Sequence, residues 1–142
     1  MKPIKKRAPI KAAPVKKKAA PKTHRATRNK RKGADYEIDV QDWLRTHGFP
    51  FAERRRLQGV LDKGDMGGIV DACNMRWVIE CKNVNKVALA EFTQEAVVEM
   101  INDNAHFNAV FIRRRGTTDV GKSYVVIDAK TFTTLLSRGD HS

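Results

Sequence analysis

Three consecutive apolar residues, Trp77-Val78-Ile79, constrain this chain more than any other feature. Side chains of a strand alternate between its two faces, so an unbroken apolar run needs cover on both sides. That requirement points to a sheet clothed by helices, and the flanking sequence supplies the rest. Residues 66–70 and 76–82 read as the arms of a hairpin turning through 71–75. Residues 89–104 repeat Leu89, Phe92, Ala96 and Met100 at helical spacing, with Val97 and Ile101 widening the stripe. Residues 107–112 and 124–127 read as further strands and residues 129–136 as a last helix. Upstream, residues 34–47 carry Tyr36, Val40, Trp43 and Leu44 on one helical stripe that stops at Gly48, and residues 51–57 read as a first strand. The expected order is α-β-β-β-α-β-β-α, an α/β sandwich on a mixed sheet.

Charge sets the domain border. Of the 28 Lys and Arg, 14 fall within residues 1–33, which contain none of the 16 Asp and Glu; the remainder carries 14 basic against 16 acidic groups. Pro3, Pro9, Pro14 and Pro21 and the like charges oppose both helix and collapse, so residues 1–33 are expected to be a disordered Lys/Pro/Ala-rich tail that binds polyanions. Residues 34–142 form the expected domain. No apolar stretch approaches the ~20 residues needed to span a bilayer, and the N-terminus has no apolar signal-peptide core. The two cysteines, Cys73 and Cys81, are too few for a disulfide framework or a structural zinc site. A cytoplasmic setting without membrane contact is expected.

The chemistry is concentrated at Gly64-Asp65 and Glu80-Cys81-Lys82. Period-2 alternation puts Glu80 and Lys82 on one face and Cys81 on the other, and the hairpin brings Asp65 opposite them. Two carboxylates, with the Cys81 backbone carbonyl nearby, make a hard, oxygen-rich site suited to Mg²⁺ or Mn²⁺. Lys82 would stand as a point charge beside an attacking water. Glu-x-Lys triplets are common on ordinary solvated strands, so the weight rests on the upstream Asp65 and the apolar run leading in. Asp71, in the turn, ranks second to Asp65, and Asp62 is a further rival in its loop. Gln94, on the helix after the triplet, reads more readily as a surface residue than as a site residue. His24, His47, His106 and His141 show no ligand spacing. Trp43 and Trp77 read as core, and Cys81 as a small buried hydrophobe.

Asp65 followed by Glu80-Cys81-Lys82 resembles the signature of the PD-(D/E)xK nuclease superfamily, with Gly64 where the namesake proline can stand. The helix-first order is similar to that superfamily's restriction-endonuclease-like αβββαβ core. Within it, the chain is most similar to archaeal-type Holliday junction resolvases and their phage-encoded relatives. Gly33-Ala34-Asp35-Tyr36-Glu37 and Gly48-Phe49 match their first helix, and Arg54-Arg55-Arg56 match an arginine-bearing strand. The likeness spans residues 33–112. It implies Mg²⁺- or Mn²⁺-dependent cleavage of branched DNA by a homodimer in the host cytoplasm, with Glu37 as a further acid at the metal.

Bland readings stand beside these: Glu37 as a helix-start carboxylate favoured by the helix dipole, and Arg54, Arg55, Arg56, Arg113, Arg114 and Arg115 as solvated charges rather than phosphate contacts. A restriction- or repair-type nuclease on duplex DNA, or a non-catalytic DNA-binding protein, are the competing functions.

Overall fold

The computed structural model describes residues 24–56 and 61–138. The element order is α1 (His24–Thr46), β1 (Glu53–Arg54), β2 (Met66–Val70), β3 (Arg76–Lys82), α2 (Leu89–Asn102), β4 (Phe107–Ile112), β5 (Tyr124–Val126) and α3 (Ala129–Ser137), with a 3-10 turn at Val120–Lys122 before β5. The result is an α/β fold on an open, mixed, five-stranded sheet ordered β1-β2-β3-β4-β5. β3 and β4 are parallel, joined by the α2 crossover, and the other neighbours are antiparallel.

Central position explains the apolar run. β3 is the third of five strands, and Val78, Ile79, Glu80 and Cys81 are all buried. One face packs Ile79, Cys81, Ala109 and Phe111 against Tyr36, Val40 and Leu44 of α1. The other packs Val110 and Ile112 against Phe92 and Ala96 of α2. Glu80 pairs with Val110 and Lys82 with Ile112 in parallel register, so both face α2 while Cys81 faces α1. The expected alternation holds.

The hairpin arms and the 107–112 strand have the expected bounds. Asp71 builds the turn: its Oδ1 accepts from the backbone N–H groups of Cys73 (2.9 Å) and Met75 (3.0 Å). β2 also holds an irregularity that the pattern did not announce. Met66 pairs with Ile79 but Ile69 with Trp77, so β2 carries one extra residue at Gly67-Gly68. This bulge lets Met66 and Ile69, three positions apart, both enter the core against α1.

Four expectations change. Helix α1 begins at His24, so residues 24–33, assigned to the disordered tail, are helical and Gly33 lies inside the helix rather than at a border. Beyond Pro21, Ala, Arg and Lys favour helix and no proline interrupts it. Residues 1–23 of the expected tail lie outside the described residues. The first strand shrinks to Glu53–Arg54, because the Ala52 N–H donates to the Phe49 carbonyl (3.0 Å) and holds Phe51 in a turn, 82% exposed. Leu57, the far end of that expected strand, is also outside the description. On α2 the buried stripe is Phe92, Ala96 and Glu99, whereas Leu89 and Ile101 are exposed. Finally, the last strand ends at Val126.

Candidate functional site

Met66 pairs with Ile79, so Asp65, one residue earlier, stands opposite Glu80 where the hairpin arms meet the α2 face. Asp65 is fixed from the backbone: its Oδ2 accepts from the Cys81 N–H at 2.8 Å. Glu80 Oε1 lies 2.7 Å from Lys82 Nζ, and the same ammonium reaches Glu95 Oε2 of α2 at 2.5 Å and sits 5.0 Å over the Phe92 ring. Asp65, Glu80 and Lys82 therefore converge, as the spacing implied.

Their electrostatics are those of crowded acids in a desolvated place. Burial pushes the Asp65 carboxyl up to about 8, with the Glu80 charge adding to the shift and the Cys81 N–H opposing it. Burial likewise raises Glu80 to about 7, against the pull of Lys82. For Lys82 burial disfavours the charge, but its bonds to Glu80 and Glu95 win and hold the ammonium above its ordinary range. Buried carboxylates beside one another repel, and each gives way by holding a proton unless positive charge is supplied.

Two acids unmarked by the sequence reading belong to this cluster. Glu99 of α2 is 5% exposed, is raised to about 7 chiefly by burial, and lies within hydrogen-bonding reach of Glu80. Glu95, one turn earlier, holds Lys82. The signal was present: Glu99 sits at i+7 from Phe92 and i+3 from Ala96, a carboxylate inside an apolar stripe. Gln94, by contrast, is exposed.

Glu37 is ion-paired with the Arg54 guanidinium and is close enough to Asp65 to raise it further. Arg55 binds Asp103 (2.9 Å) and the Lys63 carbonyl (2.8 Å), while Asp103 also holds Arg76. Arg56 is exposed. Arg113 lies over the Tyr36 ring and near Asp39, Arg114 over the Tyr124 ring, and Arg115 donates to the Asn85 carbonyl. A cleft of about 560 Å³ opens beside Gly64, with Arg54, Arg55, Arg56 and Lys63 on its walls.

The rival acids have other work. Asp71 Oδ2 accepts from the Trp77 indole (2.9 Å) and Arg138 (2.6 Å), and although burial acts to raise it, these bonds and the turn N–H groups hold it low. The Asp62 carboxylate accepts from the Gly64 N–H at 3.1 Å. Cys81 is a buried core thiol with its pKa raised by desolvation.

Among the described residues, no group of three or more His, Cys, Asp or Glu side chains is spaced as a ready metal cage. Magnesium needs no such cage, since it keeps several waters and takes one or two carboxylates together with substrate phosphates. The donor set fits a hard divalent cation: adjacent carboxylates whose pKa values are raised chiefly by burial and further by neighbouring acids, and one buried carboxylate oxygen, Glu99 Oε2, without a hydrogen-bond partner. Among the described residues no helix is long and apolar enough to cross a membrane. Compared with known proteins, the chain matches no family model, no curated protein and no solved structure.

Proposed function

We propose that this chain is a metal-dependent DNA endonuclease with a restriction-endonuclease-like core, acting on branched DNA of the four-way-junction kind as a homodimer. One observation carries the reading: Asp65, just ahead of β2, is bonded to the Cys81 N–H opposite Glu80, and Glu80 is ion-paired with Lys82, while the neighbouring Gly64 lines a cleft walled by arginines. Asp65 and Glu80 would hold Mg²⁺ or Mn²⁺, with the Cys81 backbone carbonyl and Glu37 as the further donors that the family resemblance implies. When bound, the cation supplies positive charge to the scissile phosphate and acidity to the attacking water.

The chain's own residues do the remaining work. The Cys81 N–H fixes the Asp65 carboxylate, so the acid enters the reaction already oriented. Lys82, held by Glu80 and Glu95, keeps its proton and offers an ammonium that orients a water and opposes the negative charge growing on the phosphate. Arg54, Arg56 and Lys63, on the cleft walls, suit phosphate oxygens, which positions DNA without reading its bases. The exposed helical segment 24–32 adds Arg25, Arg28, Lys30, Arg31 and Lys32 with no acid among them. It is tied near the site by the Asn83 amide, which donates to the Lys32 carbonyl at 3.0 Å.

The test is a gel assay of four-way junction, flap and linear duplex with Mg²⁺, Mn²⁺, Ca²⁺ or EDTA. Cutting is expected with Mg²⁺ or Mn²⁺, best on the junction, and lost in Asp65→Ala, Glu80→Ala and Lys82→Ala while DNA binding persists. Undiminished cutting in EDTA defeats the metal reading. Preference for linear duplex would favour a restriction- or repair-type enzyme instead.

A further inference from the structure

We propose that Glu99 is a further carboxylate ligand of the cation site, drawn in from α2 to join Asp65 and Glu80 from the hairpin; among the described residues these carboxylates are not already spaced as a metal cage. The inference rests on the metal-dependent reading above and extends it to a residue that the Asp65…Glu80-x-Lys82 pattern does not include.

Three observations carry it. Glu99 is 5% exposed, and its Oε2 is buried with no hydrogen-bond partner. An unpaired buried carboxylate oxygen is costly, and a carboxylate more so than a neutral group, unless a charge or donor completes it. Second, the side chain is directed at the cluster: it lies within hydrogen-bonding reach of Glu80, and the charges of Asp62, Asp65 and Lys82 act on it in that order. Two carboxyl groups that close together need either a proton or a cation between them.

Third, the backbone makes room for it. Gly64 has φ +83°, and a Cβ there would come 3.2 Å from Glu99 Oε2 and 2.4 Å from Val78 Cγ1. Proline, confined to φ near −65°, cannot stand at that position. The glycine at position 64 and the acid at position 99 thus fit one another across the sheet–helix interface. Asp62, whose charge also acts on Glu99, is occupied with the Gly64 N–H and is left out of the ligand set.

A purely structural Glu99, holding Glu80 through a shared proton, makes a different forecast, because glutamine can replace that hydrogen bond but not the charge. The experiment is calorimetric titration of the full chain with Mn²⁺ alone, without DNA, for wild type, Glu99→Gln and Gln94→Ala. Each is paired with a melting curve with and without Mn²⁺. Glu99→Gln is expected to fold and to bind Mn²⁺ at least roughly tenfold more weakly, on the scale by which ligand charge count tunes divalent affinity. Its Mn²⁺-induced rise in Tm should shrink in step, and Gln94→Ala should match wild type. Equal affinity in Glu99→Gln overturns the inference and leaves the metal reading standing. No binding by the wild type overturns both. Should Glu99→Gln fail to fold, Glu99→Asp retains the charge but withdraws it by one methylene. Weakened Mn²⁺ binding in that variant is expected, and unchanged binding overturns the proposal.

Discussion

Replacing Gly64 by alanine tests the geometry on which the site is built. Gly64 and Gly116 have nearly the same backbone, φ +83° and +80°. A left-handed backbone costs a non-glycine residue about 1–2 kcal/mol. At Gly116 a new Cβ meets nothing within 4 Å, so alanine there incurs that strain alone. At Gly64 the same strain is joined by contacts of 2.4 Å to Val78 Cγ1 and 3.2 Å to Glu99 Oε2. Val78 is fully buried and β-branched, so its methyl cannot swing away cheaply. Overpacking of this kind costs about 1–3 kcal/mol. Gly64→Ala is therefore expected to be less stable than Gly116→Ala by about 1–3 kcal/mol. At about 4–8 °C per kcal/mol for a domain near 100 residues, the added loss in Tm is roughly 4–24 °C. Circular dichroism melts of the two variants and of Gly64→Ala/Val78→Ala check it, the double variant recovering part of the loss. Equal Tm values for the two single variants would refute the close approach of Gly64 to Val78 and Glu99.

In metal-free buffer, stability should fall as pH rises from about 4 to about 8. Asp65, Glu80 and Glu99 have raised pKa values in the folded chain, so the folded state binds more protons than the unfolded one across that window. Tm at pH 5 and pH 8.5 in EDTA measures this, and Asp65→Asn should flatten the difference; a Tm that rises over this window in wild type only would contradict it. Asp103→Ala leaves Arg55 and Arg76 without their shared carboxylate and should cost about 1–3 kcal/mol by chemical denaturation, as expected when hydrogen bonds to a charged group are lost. Replacing Arg25, Arg28 and Lys32, one face of the exposed start of α1, by alanine should reduce the slope of log affinity against log salt by up to about 2.7. It should leave junction preference intact, and an unchanged slope would remove this face from the DNA contact.

Local pattern was enough where one strand or one helix settles the matter. The bounds of β2, β3 and β4 followed from apolar runs broken by Asp71 and its turn, and the shared face of Glu80 and Lys82 followed from the period of a strand. The hairpin pattern placed Asp65 only opposite the 80–82 segment: the plain register from Val70↔Arg76 leads to Cys81, and the extra residue at Gly67-Gly68 moves Asp65 to Glu80. The start of α1 is masked in the sequence by the net charge and prolines of residues 1–33, although residues 24–33 contain no proline.

Other features depend on distances across the fold. Arg55 looked free for DNA, yet Asp103, 48 residues away, takes its guanidinium. Glu99 is unmarked in the Asp65…Glu80-x-Lys82 pattern, and only the crossover, which lays α2 over the sheet, carries it against Glu80 and Gly64. Sequence alone determined that Glu80 and Lys82 share a strand face, because backbone periodicity is local. Only the tertiary structure decided which acids are desolvated together, because burial and charge repulsion depend on what the rest of the chain brings alongside.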